Sequence, residues 1–413
     1  MIRAVKGTRD ILPPSSAVWN HVERVAREVF RAYNYQEIRT PIFEETQLFA
    51  RGVGEETDIV TKEMYTFADR DGESLTLRPE NTASVIRAYI EHRLDQLPGL
   101  QKLYYMGPMF RRERPQKGRY RQFAQIGAEA IGSASPVVDA EVIEMVAEIL
   151  KRCGLTAFTI YLNSVGCKTC RPKFVEALQE SLKDQAAKLC GDCQRRAVTN
   201  PLRVLDCKIP QDQPIIDALP SILNYLCEDC RAHSELVLAL LGDRAIPFQV
   251  KPRLVRGLDY YTRTTFEFTH GALGAQNSIL GGGRYDGLAE DLGSKVPAPG
   301  IGFSIGEDRL VMLIEETSPG TSQQSIDVYV VPLGAAAVQH CAGLAYDLRQ
   351  KNAIVEVAAD GKLKRALEIA NKLQALHTLI VGENEMNAGV YALKEMATGE
   401  QVTVTREQLL GKF

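Results

Sequence analysis

The sequence predicts a mixed α/β (α+β) protein of two or three domains, with a helical subdomain inserted into the first. Three observations carry this prediction. At 413 residues the chain exceeds what one hydrophobic core ordinarily serves. Seven of the nine cysteines crowd between positions 165 and 246, among short Pro-punctuated helical segments unlike the sequence on either side. After SPGTSQQS (Ser318–Ser325), the best linker in the chain, strand-like and helix-like stretches alternate.

The elements follow in order. Ser15 to Tyr33 reads as a helix, with Ser15 or Ser16 able to cap it and Val18, Val22, Val25 and Val29 at helical spacing. YQEIRTPIF (Tyr35–Phe43) reads as a strand interrupted by Pro41, which suits a strand end or an edge. Thr82–His92 is helical, while Lys102–Phe110 and Phe123–Ile131 alternate or run apolar like strands, so the arginine-rich stretch between them is a hairpin loop. Val137–Cys153 is an amphipathic helix. Glycine-rich, strand-like sequence resumes at Leu254 and runs to Phe303, followed by a helix over Glu307–Glu316. Beyond the linker, DVYVVP, IVEVAA, TLIVG and VYALKEM read as strands, with helices over Ala337–Lys351 and Leu363–Leu376 separating the first three. The expected domains are 1–164 with 247–318, the insertion 165–246, and a small α/β domain over 326–413.

Composition narrows the function classes. No run of eighteen apolar residues exists, so no membrane span is expected, and MIRAVKGTRDILPPSS lacks the apolar segment of a signal peptide. A cytoplasmic, reducing location is expected, which leaves the cysteines as thiols or metal ligands. The net charge of −3 does not announce a polyanion binder, so any such binding needs a local patch. One exists: Arg111, Arg112, Arg114, Lys117, Arg119 and Arg121 stand against the single acid Glu113.

The common nucleotide signatures are absent, with neither GxxxxGK[ST] nor GxGxxG, and there is no HExxH and no nucleophile elbow. GGGRYDG (Gly281–Gly287) fits a tight turn as well as a ligand loop. What stands out is a set of arginines in glycine- and aromatic-rich surroundings. Arg111 ends an apolar strand, Arg256 follows Leu254-Val255, and Arg309 sits in the first turn of a helix, where an acid would be favoured. An ordinary ion pair accounts for any one of them alone. Together they suit phosphoryl or adenylyl transfer, which needs positioned cations around phosphate.

YQEIRTPIFE resembles the first motif of class II aminoacyl-tRNA synthetases, a dimer-interface element. MFRRERPQKGRYRQFAQIGAE resembles the second and GIGFSIGEDRL the third. LVRGLDYYTRTTFEF and GGGRYDGL are similar to the two signatures of histidyl-tRNA synthetases, and KGTRDILP to their N-terminus. One departure is Asp308, where the family usually has Glu: the charge is kept and the reach is shorter.

The resemblance implies an antiparallel-sheet catalytic domain, an anticodon-binding C-terminal domain and a homodimer. Its substrates would be L-histidine, ATP and tRNA(His), with Mg2+ accompanying ATP. It assigns the ATP phosphates to Arg111, Arg119, Arg121 and Arg309, and the charge that builds during carboxylate attack to Arg256. Glu80, Thr82 and Gln125 would hold the substrate's α-amino group. Glu129 and Tyr261 would bond the imidazole nitrogens, with Tyr260 beside them and Tyr285 closing the pocket. Arg114 and Gln116 would meet the tRNA acceptor end.

The cysteines are a separate signal. Cys167/Cys170, Cys190/Cys193 and Cys227/Cys230 form three CxxC pairs, with Cys207 and His233 nearby, a pattern that points to structural zinc. An insertion with many prolines and few large apolar residues has little core of its own to rely on. Cys167, Cys170, Cys227 and Cys230 lie near its entry and exit and would clamp its base; Cys190, Cys193 and Cys207 form the competing set. Cys153 and Cys341 fall within helical patterns as core thiols. The rival reading is a histidine-sensing regulatory subunit of ATP phosphoribosyltransferase, which shares the fold but lacks the anticodon domain. The C-terminal domain, with Arg256 and Arg309 in place, favours catalysis over it, and LVRGLDYY disfavours a synthetase for proline or threonine.

Overall fold

The computed structural model describes residues 2–317, 325–359 and 362–413, so the expected linker lies, all but Ser325, outside the described residues. The chain forms two compact units, 1–321 and 322–413.

The first unit is built on an eight-stranded sheet. Its strands are β1 (Gln36–Glu37), β2 (Gln101–Phe110), β3 (Gln122–Ile131), β4 (Thr159–Ser164), β5 (Gln249–Val250), β6 (Thr262–Thr269), β7 (Ser278–Arg284) and β8 (Gly300–Gly306). They lie in the order β1-β2-β3-β8-β7-β6-β4-β5. The neighbours are antiparallel except the edge pairs β1–β2 and β4–β5. β2 and β3 are the two strands expected around the arginine-rich loop, and they pair over their whole length, from Gln101↔Ile131 to Phe110↔Gln122.

Five helices frame this sheet: α1 (Ser15–Ala32), α2 (Thr82–Glu91), α3 (Pro136–Arg152), α4 (Glu228–Asp243) and α5 (Glu307–Thr317). Four of them, α1, α3, α4 and α5, cover one face, burying Val22, Val29, Ile143, Val237 and Leu313 together with Ile126, Phe266 and Phe303 of the strands. Strand side chains alternate between faces. The apolar choice at Ile126, Ala128 and Ala130 therefore sends Gln125, Gly127 and Glu129 to the opposite face, where the site lies.

The local chemistry departs from the sequence expectation in four places. Neither serine caps α1: Pro14 is already helical (φ −85°, ψ −11°), and Ser15 Oγ donates to Glu315 Oε1 at 2.6 Å. YQEIRTPIF is two strands rather than one. Pro41 has no N–H to continue a ladder, so β1 ends before it and Phe43–Glu45 joins a separate three-stranded sheet with Ser74–Leu77 and Tyr65–Ala68. Gly281–Gly283 is neither a turn nor a loop but the middle of β7, paired on both sides. The insertion, finally, does have a core of its own, formed by Phe174, Leu178, Leu182, Val204, Leu205, Ile216 and Ile222. Its last helix, α4, contributes Val237 and Leu241 to the core of the large sheet.

The second unit carries a five-stranded sheet: β9 (Val328–Pro332), β10 (Val355–Val357), β11 (His377–Val381), β12 (Val390–Glu395) and β13 (Gln401–Thr405), in the order β10-β9-β11-β12-β13. The first three are parallel and the last two antiparallel. Alternation along β9 feeds two cores: Val328 and Val330 pack with Leu344 and Leu348, and Tyr329 and Val331 with Ala366 and Ala370. β13 and the following helix Arg406–Lys412 were not expected from the sequence, because QVTVT is short and largely exposed. Among the described residues no helix is long and apolar enough to cross a membrane.

Candidate active site

The open face of the large sheet bears a cavity of about 960 Å³ in the first unit. Arg111, Arg119, Arg256 and Arg309 all line it, with Glu80, Thr82, Gln125, Tyr260, Tyr261 and Tyr285. Five stretches of the sequence are thus brought to one space.

Each arginine is held by its surroundings. Arg111 Nε donates to the Pro79 carbonyl at 2.9 Å, and its guanidinium lies over the Phe123 ring, 5.4 Å from the centroid. Arg309, in the first turn of α5, donates from Nη1 to the Ser278 carbonyl at 2.8 Å and from Nε to the Gly118 carbonyl at 3.3 Å. Burial, then the nearby Arg119 charge, lowers its affinity for its proton. Arg256 pairs through Nη1 with Glu267 Oε1 at 3.2 Å, while its buried Nε has no hydrogen-bond partner among the described residues. It lies directly on β7, where a Cβ at Gly281 would fall 2.1 Å from the guanidinium carbon. Glycine there is a requirement of close approach, which gives the glycine run its physical meaning.

The floor is carboxyl and phenol. Glu80 accepts from the backbone N–H of Thr82 at 2.7 Å and of Ala83 at 3.0 Å, closing the start of α2 with both oxygens. Glu129 is fully buried and lies beneath the lining rather than on it. Its Oε1 accepts from Thr82 Oγ1 at 2.8 Å and its Oε2 from the Tyr285 hydroxyl at 2.6 Å. Burial pushes its carboxyl up to about 8 against the pull of those two donors. Gly302 on β8 makes the room, since a Cβ there would stand 1.7 Å from Glu129 Oε2. Tyr260 and Tyr261 pack with ring centroids 4.7 Å apart, and Tyr260 meets Tyr285 edge-on.

The hairpin between β2 and β3 folds back at Gln116–Arg119, whose backbones bond each other in both directions. Glu113, the single acid of the basic run, accepts from Arg119 at 2.8 Å and lies 3.9 Å from Arg111. Arg114 and Gln116 are exposed on the hairpin, outside the cavity lining. Arg121 is outside it too. Its side chain runs along Gly7, and its backbone N–H donates to the Gly7 carbonyl at 2.7 Å. The shorter Asp308 still reaches two partners, Arg9 Nη2 and the Ala124 N–H, each at 2.9 Å. It thereby ties the N-terminal KGTRD segment to β3 and α5.

Sequence reasoning missed Lys208, Lys251 and Arg253, which also line the cavity. They sit in or beside the insertion, and no local spacing announces that the insertion forms a wall. It also missed the buried assembly of Arg284, Asp139 and His233. Arg284 bonds both Asp139 oxygens, and His233 Nε2 lies 2.7 Å from Asp139 Oδ2. His233, close in sequence to a CxxC pair, is therefore engaged away from the thiols. Arg284, fully buried inside a glycine strand, was the available signal.

The four thiols of Cys167, Cys170, Cys227 and Cys230 converge, all within 4.8 Å of one another. The sulfur separations are 3.5 Å for Cys167–Cys170, 3.9 Å from Cys227 to each of those, and 3.7 Å for Cys170–Cys230. Four thiolates at about 2.3 Å from one zinc would stand roughly 3.8 Å apart. The set fits a tetrahedral ion.

Residues 7–310 match the family model for histidyl-tRNA synthetase, and residues 327–413 match that for an anticodon binding domain. The chain is 72% identical over 413 residues to the histidine–tRNA ligase of Solibacter usitatus, covering 100% of this chain and 99% of that one. To the histidine–tRNA ligase of Koribacter versatilis it is 58% identical, over 99% of this chain and 95% of the relative. The crystal structure of apo S. aureus histidyl-tRNA synthetase superposes over the full length of both chains with a TM-score of 0.83 at 39% identity. With the paired sheet, the arginine-lined cavity and a matching C-terminal domain, these likenesses show that the chain belongs to the histidyl-tRNA synthetase family.

Proposed function

We propose that this chain is an ATP-dependent histidine–tRNA ligase whose chemistry is done in the sheet cavity. The observation that carries the reading is the convergence of Arg111, Arg256 and Arg309 around one cavity floored by Glu80, Gln125 and Tyr261. In the first step the histidine carboxylate attacks the α-phosphorus of ATP, giving histidyl-adenylate and releasing pyrophosphate. Arg111 holds the α-phosphate and the carboxylate, and Arg309, with Arg119 beside it, holds the far end of a bent ATP. Arg256 faces the reacting phosphate from the β7 side and offsets the charge that develops there. Arg121 supports the hairpin rather than the nucleotide, in keeping with its packing on Gly7. In the second step the terminal ribose hydroxyl of tRNA(His) attacks the histidyl carbonyl, and AMP leaves.

Histidine is read by Glu80, Thr82 and Gln125 at its amino group and by Tyr261 and Glu129 at its ring. Raised to about 8, the Glu129 carboxyl is largely neutral near neutral pH in the free protein, and its full set of about four acceptor positions comes on ionisation, which a bound imidazolium would favour. Glu129 uses two on Thr82 and Tyr285, which leaves capacity for an imidazole N–H. Tyr285 and Tyr260 enclose the ring. Arg114 and Gln116 meet the acceptor end of tRNA, and the C-terminal unit meets its anticodon.

Magnesium would neutralise phosphate charge. The acids lining the cavity are already engaged: Glu113, Asp217, Glu267 and Asp308 each pair with an arginine, Asp206 pairs with Lys208, and Glu80 accepts from two backbone N–H groups, and none of them belongs to a described cluster with metal-ligand geometry. Any such ion is held through the nucleotide. Structural zinc at Cys167, Cys170, Cys227 and Cys230 belongs to this reading, as does a cytoplasmic homodimer. Ile42 and Phe43, within the dimer-interface motif, are 44% and 54% exposed, as an apolar contact surface requires.

ATP–pyrophosphate exchange across the twenty amino acids tests the reading. Exchange should depend on histidine alone, and charging on tRNA(His). Exchange with another amino acid, or none, would overturn it.

A further inference from the structure

We propose a second metal site in the insertion, formed by Cys190, Cys193, Cys207 and Asp212, which rivets one wall of the catalytic cavity in place. It goes beyond the thiolate site at the base of the insertion and does not depend on it.

The four side chains present ligand atoms that all lie within 4.8 Å of one another. Cys190 and Cys207 sulfurs are 3.9 Å apart, and Cys207 Sγ is 3.2 Å from Asp212 Oδ2. Sulfurs sharing a tetrahedral zinc stand roughly 3.8 Å apart, and a sulfur and a carboxylate oxygen roughly 3.5 Å apart. A disulfide would demand about 2.05 Å, so this is ligand spacing, not bonding distance.

Asp212 gives independent support. Its residue is 1% exposed, and it accepts from the Cys190 N–H, at 3.1 and 3.2 Å, and from the surrounding thiols of Cys190, Cys193 and Cys207. No lysine, arginine or histidine pairs with it in the described structure. A buried carboxylate without a counter-cation is costly, and a divalent ion shared with three thiolates removes the cost. Cys193 is fully buried, Cys207 nearly so at the cavity's edge and Cys190 half-buried, so all four ligand positions of the ion would be filled by protein, as in a structural site.

The position gives it a role. Cys207 directly follows the turn Pro201–Asp206, and Asp212 directly precedes the helix Gln213–Asp217. Within the first of these, Arg203 Nη1 donates to the backbone carbonyl of Arg256 at 3.0 Å. Leu205, Asp206, Lys208 and Gln213 line the cavity, and Gln213 also accepts from Arg253 at 2.9 Å. An ion joining Cys190 and Cys193 to Cys207 and Asp212 fixes both cavity-facing pieces to one helix, and through Arg203 sets the backbone that carries Arg256. Arg203 is a positioning residue here, and the ion acts through it.

The test uses the full chain purified without chelator. Elemental analysis should give about two zinc ions per chain in the parent and about one in each of Cys193→Ala/Cys207→Ala and Cys167→Ser/Cys170→Ser. If Cys193→Ala/Cys207→Ala keeps the parent's zinc, the proposal is overturned. If Cys167→Ser/Cys170→Ser keeps it all while Cys193→Ala/Cys207→Ala loses it, the base site fails and the proposal stands. Misfolding of the alanine variant is bypassed in Cys167→Ser/Cys170→Ser protein reconstituted with Co2+ and checked by circular dichroism. That protein should show thiolate-to-cobalt charge-transfer absorption, strengthened when Asp212→Cys is added. A folded protein without such absorption overturns the proposal. In the same background, a zinc-selective chelator that spares magnesium should lower the rate of histidine-dependent pyrophosphate exchange about tenfold, with the Michaelis constant for histidine nearly unchanged, and added zinc should restore it. A fall that zinc does not restore overturns the positioning role.

Discussion

At the scale of single residues, function rests on charges placed where water would ordinarily be preferred. Arg256 is the sharpest case, paired with Glu267, its buried Nε without a hydrogen-bond partner among the described residues, and a glycine strand cleared for its guanidinium. Arg256→Ala should lower the rate of adenylate formation by at least about a hundredfold, in the range of losing one charge-stabilising donor. Single-turnover adenylation measures this, and a variant altered only in its Michaelis constant for histidine would refute the role. Glu307 is the opposite case, a buried carboxyl that keeps its proton rather than a charge. It is 2% exposed, and its Oε1 has no hydrogen-bond partner among the described residues. Burial, then repulsion from Glu23 and Asp308, pushes its carboxyl up to about 8. In the unfolded chain the group ionises in the ordinary carboxylate range, so between that range and about 8 the folded state holds the extra proton. Its contribution to stability therefore falls as pH rises. Glu307→Gln should match the parent near pH 5 and gain melting temperature over it progressively toward pH 8, with roughly those limits set by the ordinary carboxylate range and the raised one. Thermal unfolding across that range decides, and a constant difference would mean that Glu307 does not titrate in this way.

At the scale of elements, the catalytic face depends on strands that omit side chains. Gly302 on β8 lies opposite Glu129 on β3 in the register, and the missing Cβ is what admits the carboxylate. Gly302→Ala should therefore imitate Glu129→Ala, each weakening histidine far more than ATP, because a site built to bond a substrate's polar groups loses selectivity when one is displaced. Equilibrium binding of each ligand separates the cases. Equal losses for both ligands would make Glu129 a structural carboxylate. The paired strands β2 and β3 with their hairpin, and α1, α2, α3 and α5, were legible in the sequence because each has a strong period or a clear boundary, whereas β4, β5 and β13 were not. The split of YQEIRTPIF across two sheets was not, since nothing local says which ladder accepts the chain after Pro41. Nor was the role of the glycine run, because a close approach is a property of what lies opposite, here Arg256 at Gly281 and Tyr261 at Gly283.

At the scale of the whole molecule, the two units each have a core and a sheet of their own. The cavity is lined by residues of the first unit alone. A chain ended within 318–324 should keep histidine-dependent pyrophosphate exchange within about threefold of the parent while losing charging of tRNA(His) by about a hundredfold or more, the size of a binding contribution of roughly 3 kcal/mol. Loss of both activities together would mean that the second unit supports the first.

The sequence by itself determined the main strands and helices around the hairpin, the family motifs and most of the arginines and tyrosines that come to one cavity. These are carried by local period, local charge and short contiguous spacings, all written along the chain. Tertiary structure alone decided that Glu129 lies beneath the wall, that Arg121 turns to Gly7, and that His233 serves Asp139. It alone also decided that two sets of side chains with metal-ligand spacing, rather than one, converge in the insertion. Such outcomes depend on which face a strand presents and on what a distant segment brings opposite it, and residues sixty or a hundred and fifty positions apart carry no mark of each other until the sheet closes.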